Sequence, residues 1–135
     1  MLERLTDPVS SAQLLASTFL AILFLQSGLD KVIDFRGNLA WLTQHFDKSP
    51  LRGKVPAMLV VITVTEVAAG GSSALGAWHL AADGSPRHAL WGAQLAALNI
   101  VMLFLGQRLA KDYAGAAALV PYFILSIGAI VLMAL

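Results

Sequence analysis

Glu66 stands in an apolar run from Val55 to Leu80 that contains no other Asp, Glu, Lys or Arg. A carboxylate at the centre of a lipid-spanning helix costs ~2.5–3.5 kcal/mol to insert. It must therefore be protonated, paired, or turned toward a polar interior. Four other polar side chains fall at a comparable depth in their own apolar segments: Lys31, Gln26 (beside Ser27), Asn99 and Tyr122. At 1.5 Å of rise per residue, Glu66 lies roughly 15 Å inside its segment, and Asn99 and Tyr122 each lie about eight residues from an end of theirs. Lys31 has a choice of partner, Glu66 or Asp34. Pro121, next to Tyr122, is expected to leave a backbone carbonyl without its helical donor.

Two readings of this polar layer compete. In the structural one the groups hydrogen-bond across helices, at about 0.6 kcal/mol each. In the other, an ammonium, a carboxylate, an amide and a phenol at one depth hold the polar head of a lipid-soluble molecule such as a quinone, contacted by Glu66, Lys31, Asn99, Tyr122 and Gln26. No residue is assigned a catalytic role. The chain has no cysteine, which excludes disulfides, thiolate nucleophiles and Cys-ligated zinc or iron–sulfur clusters. His45, His79 and His88 fall in loops or at helix ends, without the spacing of a haem pair or a metal site, and His79 and His88 are expected to be solvated. No cofactor is built in, and quinone and lipid are the candidates for a bound one.

The elements that position these groups follow from composition. Of 135 residues, 58% are hydrophobic and 13% charged, against about 25% charged in a soluble domain. The expected fold is an all-α membrane protein, one four-helix domain over residues 1–135 with spans at about 8–29, 55–80, 89–107 and 114–135. Each is long enough for ~30 Å of hydrocarbon. Asp7-Pro8 reads as an acidic cap followed by a first-turn proline. The N-terminal segment lacks a basic leader and a small-residue cleavage site, so the first span reads as retained and not as a signal peptide. Between spans 1 and 2, Phe35, Leu39, Leu42 and Phe46 recur at helical spacing, which predicts an interfacial helix over about 35–47.

Lys31, Arg36, Lys48, Arg52, Lys54, Arg108 and Lys111 fall on one side of the membrane and Arg4 and Arg87 on the other, seven against two. The positive-inside rule then puts both termini outside the cytoplasm. Trp78 and Trp91 mark the outer interface, Trp41 and Tyr113 the inner one. No basic run with interleaved aromatics points to nucleic acid.

Lipid gives helices no hydrophobic reason to associate, so backbones must approach closely. Small residues supply this in span 2 (Ala68 to Ala74, then Gly76), in span 3 (Ala89, Gly92, Ala93, Ala96, Ala97) and in span 4 (Ala114, Ala118, Gly128). Thr63, Ala69, Gly70 and Ser73 share the Glu66 face, which directs the carboxylate toward a neighbouring helix. Gly92, Ala96 and Asn99 share a face of span 3 in the same way.

The stretch Gly28-Leu29-Asp30-Lys31-Val32-Ile33-Asp34-Phe35, followed by Trp41-Leu42 and a proline, resembles the DoxX family of small bacterial membrane proteins. So does the run Glu66-Val67-Ala68-Ala69-Gly70-Gly71 with Gly76, and Gly106 to Gly115 looks like that family's third connection. The resemblance covers most of the chain. It implies a bacterial inner-membrane protein and an association with a quinol oxidase or a thiosulfate:quinone oxidoreductase. Lys31 and Glu66 fall on the family's recurrent polar positions. No motif marks the thiosulfate-oxidising branch. The expectation is an accessory subunit, not catalytic on its own, bound to lipid and to other subunits of a larger, respiratory membrane complex. The alternatives are a quinone-binding or quinone-reducing subunit and, more weakly, a small-molecule transporter, for which an inverted repeat is lacking.

Overall fold

The computed structural model describes residues 5–135. Six helices follow one another: α1 (Pro8–Ile33), α2 (Phe35–His45), α3 (Val55–Ala82), α4 (Arg87–Leu109), α5 (Tyr113–Ala117) and α6 (Val120–Met133). Four stretches are long and apolar enough to cross a membrane: α1, α3, α4 and the α5–α6 run Tyr113–Met133. The chain is a small integral membrane protein, a four-span bundle with α2 as an additional short helix. At 28 residues, α3 is about 42 Å long and outreaches a ~30 Å hydrocarbon layer.

Local chemistry explains the boundaries. Asp7 caps α1 by accepting from the Ser10 amide at 2.9 Å, and Pro8 fills the first turn. That amide holds the Asp7 carboxyl below its ordinary value. A single residue, Asp34, separates α1 from α2. It leaves helical geometry at φ −120°, ψ 53°, and its carboxylate accepts from Gly37 N at 3.3 Å. The Ser49–Lys54 turn passes through Gly53 at φ 83°, a left-handed conformation that favours glycine. The predicted fourth span is in two pieces. Pro121 has no amide to offer Ala117, four residues earlier, and α5 ends at that residue.

The bundle is ordered α1–α3–α4–α6, with lighter contacts from α1 to α4 and α6. Gln13 Nε2 on α1 donates to Leu132 O on α6 at 2.9 Å, so the start of α1 and the end of α6 meet at one end of the bundle. The core is built mainly of small residues: Ala69, Ala93, Ala96 and Ala129 pack with Leu20, Phe24 and Ile100.

Between α1 and α3 the spacing is set by Gly70 and Gly28. A β-carbon at Gly70 would lie 2.6 Å from the Leu25 amide nitrogen, and one at Gly28 would lie 2.8 Å from Val67 Cγ2. Between α3 and α4, Gly92 sits directly on Ser73 and Gly76 on Ala89.

The small residues expected to dock span 4 do not. Ala114, Ala118 and Gly128 are exposed, and a β-carbon at Gly128 would meet nothing within 4 Å. The interruption after Ala117 re-phases the helix, and α6 instead turns Ser126, Ala129 and Met133 inward.

Candidate polar site between the helices

Lys31 Nζ lies 2.9 Å from Glu66 Oε1, with Lys31 18% and Glu66 2% exposed. Antiparallel geometry brings them together. Side chains on a helix lean toward its N-terminus. Lys31 is near the C-terminal end of α1 and leans back into the membrane. Glu66 is on α3, which runs the other way, and leans toward Lys31. Gly28, one turn before Lys31, gives the room: its missing side chain lets α1 approach Val67 and the Glu66 β-carbon. Of the two partners open to Lys31, Glu66 is taken and Asp34 serves as the cap of α2.

The contact is an ion pair without hydrogen-bond alignment, since Glu66 Oε1 is buried and has no hydrogen-bond donor directed at it. Lys31 Nζ also stands 3.5 Å from its own Ser27 carbonyl.

Asn99 joins from α4. It is fully buried, at 0% exposure, and its Nδ2 donates to Ile62 O at 3.3 Å. Ile62 is the residue whose carbonyl the Glu66 amide uses in an α-helix, so Asn99 sits beside the Glu66 turn. The carbonyl partner fixes which end of the amide is which, and leaves Asn99 Oδ1 buried without a donor. Three of the five expected polar residues, Lys31, Glu66 and Asn99, therefore converge. Gln26 and Tyr122 do not: both side chains are on the outer surface of the bundle. Tyr122 contributes only its backbone carbonyl, which accepts from Ser126 Oγ at 2.8 Å.

Around this layer other polar groups tie helices together. Ser17 Oγ donates to Ser73 O at 2.7 Å, linking α1 to α3. Thr63 Oγ1 returns to Leu59 O at 2.6 Å within α3.

A second polar cluster, at the α2 end, goes beyond the sequence expectations. His45 Nε2 is 2.7 Å from Gln107 Oε1 and 3.6 Å from Asp112 Oδ2. Trp41 stacks on His45 with centroids 4.8 Å apart, and Phe46 packs against Gly106. Otherwise α2 has no buried residue of its own. The sequence signal is the run Gln107 to Asp112 after a span end, which proximity to His45 alone turns into a site.

At the opposite end His79 and His88 are half-buried, not solvated. Their rings stack at 4.5 Å, and His88 meets Trp91 edge-on. Among the described residues no group of three or more His, Cys, Asp or Glu has metal-binding geometry.

Two clefts open on the surface of the bundle. One, of about 320 Å³, is lined wholly by apolar residues of α4 and the α5–α6 region, including Ile100, Phe104 and Phe123. The other, of about 400 Å³, is lined by Ser72 of α3 and by Trp91, Gln94, Leu95 and Leu98 of α4. Neither is lined by Lys31, Glu66 or Asn99.

No known protein family, curated protein or solved structure matches the chain.

Proposed function

We propose that this integral membrane protein is an accessory subunit docked through its helices onto a larger membrane assembly. The observation that carries the reading is Gln94. Its carboxamide is exposed about one turn below Trp91 and lines the α3–α4 cleft with Ser72. In lipid an amide without a partner is costly, whereas a neighbouring helix with a hydrogen-bonding residue would satisfy it. The resemblance to the DoxX family supports a respiratory assembly in a bacterial inner membrane as the first candidate. The Lys and Arg count supports a cytoplasmic placement for the end carrying α2 and the α4–α5 turn.

The test is a photo-crosslinking residue placed at Leu98 in native membranes, followed by mild detergent extraction. The expected product is an adduct with a different membrane protein that co-purifies with haem or quinone-reactive activity. Recovery only as an uncrosslinked monomer overturns the proposal. An adduct of the chain with itself replaces the foreign subunit with a second copy.

A second reading has one observation in its favour, the convergence of Lys31, Glu66 and Asn99. A quinone head group there would accept from Lys31, with lipid as the route for its tail. A Glu66→Gln variant that keeps its fold and an unchanged quinone affinity removes this reading.

A further inference from the structure

We propose that Glu66 and Asn99 form an interior site for one small monovalent cation, and that the Lys31 ammonium is its tethered competitor. The proposal is independent of whether the chain docks to a larger assembly. Its starting point is an imbalance. Glu66 Oε1 and Asn99 Oδ1 are both acceptors, both buried, and neither receives a hydrogen bond. Buried polar atoms of this kind are rare and call for a water, an ion or a functional role. Asn99 Nδ2 is occupied by Ile62 O, which holds Oδ1 beside the turn that carries Glu66.

The chemistry available is oxygen only, one carboxylate and one amide carbonyl. Such donors suit hard cations such as sodium or potassium over transition metals. With Lys31 in place the site is neutral. With Lys31 withdrawn it carries one negative charge and requires one positive charge, so the exchange of ammonium for ion conserves charge.

Lys31 is built to withdraw. Its contact with Glu66 is unaligned, and its other contact, to Ser27 O, is 3.5 Å long. Its side chain is 18% exposed. Asp34, exposed and three residues further along the same face of the chain, can receive the ammonium at the interface. No other charge intrudes on Glu66. The charged residues of α4, Arg87 and Arg108, are at its two ends, α6 has none, and those of α1 are Asp30 and Lys31 alone.

The experiment uses the purified protein in lipid nanodiscs at pH 8.5. The unfolding midpoint of Lys31→Met is titrated with sodium or potassium chloride against equal choline chloride, whose cation is too large to enter. The expected result is a saturable rise with sodium or potassium that choline does not give. It is abolished in Lys31→Met/Glu66→Gln and in Lys31→Met/Asn99→Leu, and weakened toward pH 6 as protons compete for the carboxylate. Wild type should need at least tenfold more salt, because Lys31 occupies the site.

An equal response to choline, or a response that survives Glu66→Gln, overturns the proposal. So does cation independence, which leaves water as the guest. Should Lys31→Met fail to fold, sodium-23 relaxation is read on the wild type. Exchange broadening that Glu66→Gln removes supports the site, and its absence from wild type overturns it.

Discussion

Lys31 and Glu66 meet across the α1–α3 seam because each side chain leans toward the N-terminus of its own helix and the two helices run in opposite directions. Their 2.9 Å contact is thus a product of topology as much as of charge. Lys31 is near enough to the interface to have gone outward, and it reaches inward instead. Breaking a buried pair is costly because it leaves an uncompensated charge.

Lys31→Met and Glu66→Met should each destabilise the bundle by about 3 kcal/mol, toward the low end for a buried pair because Lys31 is partly exposed. The double variant should recover most of that loss. Unfolding in mixed micelles titrated with dodecyl sulfate measures all three. A double variant as unstable as the sum of the singles would show that the pair is not the unit.

Gly70 and Gly71 are adjacent but should respond oppositely. A methyl at Gly70 meets the Leu25 backbone nitrogen, which cannot move aside, whereas one at Gly71 meets nothing within 4 Å. Gly70→Ala should cost about 1–3 kcal/mol through overpacking. Gly71→Ala should be neutral or gain up to ~1 kcal/mol from helix propensity. The same unfolding assay separates them.

Removing His45 should release α2 without unfolding the bundle. This helix buries nothing of its own and is tied down through His45 to Gln107 and by Phe46 next to it. In His45→Ala, amide exchange across residues 35–45 should quicken by at least tenfold, while exchange in α3 is unchanged. Slow exchange retained in α2 would mean that contacts with lipid hold it.

Asp7 gives a pH dependence with a defined sign. The Ser10 amide stabilises its ionised form and lowers its folded value. The cap is therefore complete above the ordinary carboxylate range and is lost as pH falls through the lowered value. The Ser10 amide resonance should move with that titration, and Asp7→Ala should abolish the movement while leaving the α3 and α4 resonances in place.

Much of this arrangement is legible in the amino-acid sequence. Four spans, the 35–47 helix and the inward direction of Glu66 follow from run lengths and from the small residues at Ala69, Gly70 and Ser73, because in lipid the apolar pattern and helix packing leave few alternatives. Depth is the weaker guide. Gln26 and Tyr122 have suitable depth but the wrong angle around their helices, and depth along an axis carries no azimuth. The departure in span 4 has the same origin: a docking face for Ala114, Ala118 and Gly128 presumes a continuous helix, and the break after Ala117 changes their direction. The His45–Gln107 contact joins residues 62 apart in sequence, and no local pattern encodes such a meeting.

The alanine-rich core also determines how this protein will answer to mutagenesis. At Ala69, Ala93, Ala96 and Ala129 there is nothing to truncate, so an alanine scan would pass silently over the seams that hold the bundle shut. Damage at those positions comes only from added volume. A library weighted toward Leu and Phe would therefore map the helix interfaces that a deletion library reports as tolerant.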